Sequence, residues 1–148
     1  MSLYDQLKNT MQDALKDGRR DTVRTLRTLL TKLKEGAIAK GKALSESEEI
    51  KVVQSAAKQR REAIEMYEKG GRKDLVRSEE AELEVIEAYL PEQLSGDELT
   101  AIVDRIIHET GATSMQDMGK VMSAVMREVA GQADGKQIQQ IVRQKLNG

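Results

Sequence analysis

Asp117-Met-Gly-Lys-Val-Met-Ser-Ala-Val-Met-Arg-Glu-Val-Ala-Gly-Gln-Ala-Asp-Gly-Lys-Gln-Ile-Gln-Gln-Ile-Val-Arg-Gln-Lys-Leu146 holds two short helical patterns joined by a tight turn. Met118, Val121, Met122, Val125 and Val129 recur at helical spacing, so one face of the first pattern is apolar. Gly131 ends it, because glycine enters the left-handed region at the end of a helix without a steric penalty. Asp134 then caps a second helix, Gln137 completes a capping-box spacing, and Ile138, Ile141, Val142 and Leu146 form the apolar stripe. Gly119 lies inside the first helix, where glycine costs roughly 1 kcal/mol relative to alanine. A glycine at such a place points to the close approach of another helix or of a ligand, with helix packing the plainer explanation.

The same helical grammar extends toward the N-terminus. The 148 residues include three tyrosines, no Phe, no Trp, no Cys and one proline. A core must therefore come from Leu, Ile, Val, Met and Ala, which implies an all-helical protein. Helices are expected from a Ser2 cap to about Lys16, from about Asp21 through Ala37, from Ser45 to Gly70, and from about Asp74 to Tyr89. Inward stripes on the first two are Leu3, Leu7, Met11, Ala14 and Leu15, then Val23, Leu26, Leu30, Leu33 and Ala37. Ser45 with Glu48, and Ser95 with Glu98, spell capping boxes. A fifth helix runs from there to Gly111, and Ser114 caps the sixth. Pro91 interrupts the run, since the residue before a proline avoids helical geometry. The expectation is a four-helix N-terminal region, residues 1–92, joined to a small three-helix domain, residues 93–148.

Several chemistries drop out at this point. Without cysteine there is no disulfide, thiolate metal site or Cys nucleophile. His108 is the single histidine, and beside Glu109 and Asp104 it falls short of a metal-ligand set. Glu80, Glu84 and Glu87 read as a solvated helix face. No Gly-rich phosphate loop follows a strand. No apolar run approaches the length of a membrane span, and the first residues lack a signal-peptide core. No cofactor, no metal, no membrane and a cytoplasmic location are the expectations.

Gly119-Lys-Val-Met122 followed by Gly131-Gln-Ala-Asp134 and a terminal helix resembles the tail of GatB, a subunit of the glutamine-dependent tRNA amidotransferase. Small stand-alone proteins of the GatB/YqeY family share that tail. Tyr89-Leu-Pro-Glu-Gln-Leu-Ser95 is similar to the hinge phrase of the YqeY group, and Lys58-Gln-Arg-Arg61 and Gly71-Arg-Lys-Asp-Leu75 to its N-terminal half. Asp134-Gly135 stands where the amidotransferase tail more often has Asn-Pro, which favours the stand-alone branch. The resemblance implies carbon–nitrogen ligase activity with glutamine as amide donor, a label inherited from the larger enzyme. It also implies tRNA as the partner, with Gly119, Lys120, Gly131 and Lys136 toward the RNA backbone. Neither the Ser–Ser–Lys constellation of the amidase subunit nor the kinase-like body of GatB has a counterpart here, and no catalytic residue can be named.

Charge supplies the remaining candidates. Net charge is −1, so no overall basic footprint is present. Residues 19 to 34 nevertheless carry Arg19, Arg20, Arg24, Arg27, Lys32 and Lys34 against Asp21 alone, while residues 79 to 109 are strongly acidic with Arg105 the only cation. Arg20, Arg24, Arg27, Thr31 and Lys34 fall on one helix face. A solvated face with acidic neighbours on the fourth helix is the plain explanation, and a phosphate-tracking surface without base-stacking aromatics is the functional one. In the C-terminal half Arg127, Arg143 and Lys145 join Lys120 and Lys136, and Lys136 stands in a first helical turn where the dipole disfavours a cation. Arg60 occupies an apolar seam with Ile50, Val53, Ala57, Ile64 and Tyr67. An inward ion pair with Glu82 is the expected reason, an anion-holding cleft the sharper one.

The leading expectation is a tRNA-binding or accessory module without catalysis of its own. The alternative is a protein-interaction module that docks through the Met-rich helix 115–129 (Met115, Met118, Met122, Met126) with no RNA contact. Oligomeric state has no signature in the sequence.

Overall fold

A computed structural model describes residues 2–147, all helices and connections, with no strand among the described residues. The helices are α1 Leu3–Lys16, α2 Arg20–Lys40, α3 Glu46–Lys69, α4 Lys73–Glu87, α5 Gly96–Thr110, α6 Met118–Val129 and α7 Gly135–Asn147. A 3-10 turn, Met115–Asp117, precedes α6. None is long and apolar enough to cross a membrane. The chain divides into two compact units, residues 1–90 and 91–148.

In the first unit α1 packs along α2 and α3 along α4, and α2 touches both α3 and α4. Its core is Leu7, Leu26, Leu29, Leu30, Leu33, Val53, Ala56, Ala57 and Ile86. The Ser45–Glu48 box starts α3, with both reciprocal bonds formed. Leu15 was placed inward by its spacing, yet it is 54% exposed. Ala14 is buried one residue earlier, and consecutive helical residues point about 100° apart. The last turn of α1 therefore offers α2 only the alanine. Helix α4 stops at Glu87 rather than Tyr89, because Tyr89 and Leu90 bond back to Ile86 and Glu87 in tighter turns ahead of Pro91.

Glu49 is a buried carboxylate that pattern reading did not single out. It projects from the first turn of α3, and its Oε2 accepts the Tyr4 N–H at 3.3 Å, in the first turn of α1. Ser2 satisfies the next free donor, Asp5 N–H, at 3.2 Å. A carboxylate here also meets the positive end of the helix dipole. Glu49→Ala is expected to lower the melting temperature of this unit by about 5–10 °C, equivalent to roughly 1–2 kcal/mol. Glu49→Gln, which keeps an acceptor but loses the charge, should fall between. Thermal circular dichroism reads both, and an unchanged Glu49→Ala midpoint would remove the capping role.

In the second unit α6 packs against both α5 and α7 around Leu99, Val103, Ile106, Val121, Val125, Val129, Ala133, Ile138, Val142 and Leu146. The Ser95–Glu98 box opens α5. Ser114 does not cap α6 directly: with Asp117 it boxes the 3-10 turn, and α6 begins one residue later. The Asp117 carboxyl is held below its usual range by the Thr113 and Ser114 N–H groups, with help from Lys120. Residues 92 to 94 are tied to the turn after α6. Gln93 Nε2 donates to the Gly131 carbonyl at 2.8 Å, Leu94 N–H donates to the Gln132 carbonyl at 2.9 Å, and Gln132 Nε2 donates to the Glu92 carbonyl at 3.2 Å. Gly131, at φ +81°, lets the chain make that turn.

Candidate nucleic-acid interface

The α6 and α7 surfaces follow from their buried stripes. With Val121, Val125 and Val129 inward, α6 turns Gly119, Lys120, Ser123, Met126 and Arg127 to solvent. With Ile138, Val142 and Leu146 inward, α7 turns Lys136, Gln140 and Arg143 outward. Each helix therefore presents two cations seven residues apart on an exposed face, Lys120 with Arg127 and Lys136 with Arg143. Two turns of helix put each pair about 10 Å apart along the axis.

Their engagements differ. Lys120 Nζ donates to the Thr110 carbonyl at the end of α5, at a long 3.4 Å. Lys136 contributes its backbone N–H to Asp134 Oδ1, 3.3 Å away, while its ammonium is exposed. Arg127, Lys136 and Arg143 have no carboxylate partner among the described residues, whereas neighbouring Arg105 is paired with Glu109 and Glu128, and Lys145 with Asp104. Gly131 is half-buried and its carbonyl is taken by Gln93, so its place in the turn accounts for it.

Gly119 is different. A Cβ built on it meets no atom within 4 Å, so packing within the chain does not explain the glycine. The plainer of its two sequence explanations fails here. Of the methionines, Met118 and Met122 pack against the core, while Met115 and Met126 are exposed at 36% and 50%.

On α2 the buried residues Val23, Leu26, Leu30 and Leu33 leave Arg20, Arg24, Arg27, Thr31 and Lys34 all exposed. Arg24 pairs with Asp21 at 3.1 Å. Arg20, Arg27 and Lys34 have no ion pair among the described residues, and the acidic neighbours expected from α4 do not reach them.

Arg60 lies between carboxylates. Its Nε is 2.8 Å from Glu82 Oε2 and 3.5 Å from Glu79 Oε2, and all three side chains are about four-fifths buried. Arg60 Nε and Glu79 Oε2 lack a well-directed hydrogen bond and are shut off from solvent. Burial, then the charge of Glu82, pushes the Glu79 carboxyl above its ordinary value, and Arg60 opposes this only in part. With two carboxylates against one guanidinium, no positive charge is left over to hold an anion. Sequence reasoning missed Glu79, whose signal was its position one turn before Glu82 on α4.

Comparison with known proteins gives a consistent likeness. A family model described as Yqey-like protein matches residues 4–146. A protein of Eremothecium gossypii called altered inheritance of mitochondria protein 41, mitochondrial, is 34% identical over 112 residues, 72% of this chain. The match covers 60% of that protein's length. An uncharacterised protein of Schizosaccharomyces pombe is 25% identical over 94 residues, 64% of this chain and 76% of its own.

Proposed function

This chain belongs to the YqeY-like family, and from that premise we propose that it is an RNA-binding accessory module that takes tRNA by its backbone through α6 and α7, without catalysis of its own. The carbon–nitrogen ligase label, with glutamine as amide donor, then describes the larger enzyme whose tail residues 117–146 resemble. The observation that carries the reading is Gly119. It is exposed in the first turn of α6, a Cβ built on it would meet nothing within 4 Å, and it stands beside Lys120. A bare backbone next to exposed cations suits the close approach of a phosphodiester. Lys120, Arg127, Lys136 and Arg143 supply the charge, and the absence of aromatic residues from both helices leaves the bases unread. In this reading residues 1–92 and 93–148 are separate four-helix and three-helix domains, and the protein works in the cytoplasm. The mitochondrial name belongs to the Eremothecium relative.

The test is binding to unfractionated tRNA across a salt series, beside a variant with Lys120, Arg127, Lys136 and Arg143 all changed to Gln. Wild type should lose affinity steeply with salt. The variant's log–log slope should be shallower by about 3 units, since each neutralised phosphate contributes roughly 0.7–0.9. A variant that binds as wild type does sinks the tail reading. Exposed Met115 and Met126 favour a second reading, a protein partner docked on α6. That contact would be nearly indifferent to salt, and absence of tRNA binding at low salt would leave it standing alone.

A further inference from the structure

We propose that the exposed face of α2 is a second, independent surface for the phosphate backbone of a structured RNA. It shares the partner class of the proposed function but none of its residues. Three observations carry it. The first is geometry: Arg20, Arg24, Arg27, Thr31 and Lys34 run along one exposed face for about 21 Å of helix axis. The second is anchoring: the opposite face, Val23, Leu26, Leu29 and Leu33, is buried in the core, so the cations stand on a fixed support. The same burial takes the main apolar face of α2 away from a bilayer and leaves Ile38 as its exposed large apolar side chain.

The third observation is the missing compensation. The protein has 25 acidic residues against 24 basic ones. Arg19, Lys40, Arg61, Arg72, Arg105 and Lys145 each meet a carboxylate. Of the stripe's cations only Arg24 does among the described residues, through Asp21, and Glu35 flanks Lys34 without pairing to it. Three of the four cations on this face, Arg20, Arg27 and Lys34, thus have no ion pair among the described residues of a chain well supplied with acids. Arginine's planar fork fits phosphate oxygens, and the Thr31 hydroxyl adds a neutral donor among them. No aromatic side chain lies on the stripe, so it tracks a backbone and reads no bases, as suits a double-helical or folded RNA recognised by shape.

The experiment uses the full chain with three probes: unfractionated tRNA, a blunt 20-base-pair RNA duplex, and vesicles rich in phosphatidylserine. The variant is Arg20→Gln with Arg27→Gln and Lys34→Gln, which leaves the Arg24–Asp21 pair intact. These residues are exposed, so the thermal midpoint should stay at the wild-type value. Expected is at least a tenfold loss of affinity for both RNAs at low salt, with a salt slope shallower by about 2 units. The tail variant is measured in parallel. Loss in the tail variant with an unchanged α2 variant overturns this inference and leaves the proposed function. Loss in the α2 variant with an unchanged tail variant does the opposite. Ile38, 71% exposed one turn beyond Lys34, makes the vesicles a necessary arm. Binding to vesicles that depends on the stripe, with no binding to RNA, overturns the RNA assignment.

Discussion

Arg60→Met is expected to destabilise the first unit by about 3 kcal/mol at neutral pH, a fall of roughly 15 °C in its melting temperature. Methionine keeps much of the volume of the arginine stem but removes the cation between Glu79 and Glu82. Two carboxylates then face one another with little access to water. The expected loss lies at the low end of the range for broken buried pairs because each group keeps about a fifth of its exposure. Lowering the pH should close the gap. Glu79, whose pKa burial and Glu82 already raise, takes up a proton as the pH falls, so the variant is left with one fewer buried negative charge. Glu79→Gln tests the same cluster with the opposite sign. The folded state raises the Glu79 pKa, so its favourable contribution is complete below the unfolded value and lost as pH rises through the folded one. Glutamine imitates the protonated acid and keeps that contribution, so the variant should exceed wild type at pH 7 and match it below about pH 4. Chemical denaturation at three pH values measures both. An Arg60→Met protein as stable as wild type at pH 7 would mean the cluster is solvated and the burial argument wrong.

That cluster marks where sequence reading stops. An arginine in an apolar seam announces that it needs a carboxylate. Which carboxylates arrive depends on how α3 and α4 lie together, and Glu79 stands there as well as Glu82. The boxes at Ser45–Glu48 and Ser95–Glu98 were legible because each needs only its own four residues. Glu49 is the reverse case. Its partner Tyr4 is 45 residues away, and in sequence Glu49 looks like one more acid in a first turn. The bonds from Gln93 and Gln132 that tie residues 91–93 to the turn at 131–132 are equally invisible, because amide side chains carry no pattern. For the candidate interface, spacing was enough to put each set of cations on one face. It could not tell which cations had been neutralised: Arg24, Arg105 and Lys145 are paired, while Arg20, Arg27 and Arg143 have no ion pair among the described residues.

Leu99→Ala is expected to destabilise the second unit by about 3 kcal/mol or more and to leave the first unit's transition where it is. Leu99 is fully buried, and deleting a buried leucine side chain costs roughly 2–5 kcal/mol depending on how far the cavity collapses. The two cores share no residue: one draws on residues 7 to 86, the other on residues 99 to 146. If residues 1–92 and 93–148 fold separately, the cavity should be felt on one side only. Leu26→Ala, equally buried, should do the reverse. Composition provides the probe, because Tyr4, Tyr67 and Tyr89 all lie before Pro91 and the chain has no tryptophan. Tyrosine emission therefore follows the first unit, while far-ultraviolet circular dichroism follows both. For Leu99→Ala the dichroism should split into an early and a late step, with tyrosine emission moving only in the late one at the wild-type temperature. A common shift of both signals would show one cooperative body, and the two-domain reading would fall with it. The RNA tests are sharpened by the same result. Separate folding means that a charge variant on α2 leaves the α6–α7 surface intact, so each loss of binding can be assigned to the helix that was changed.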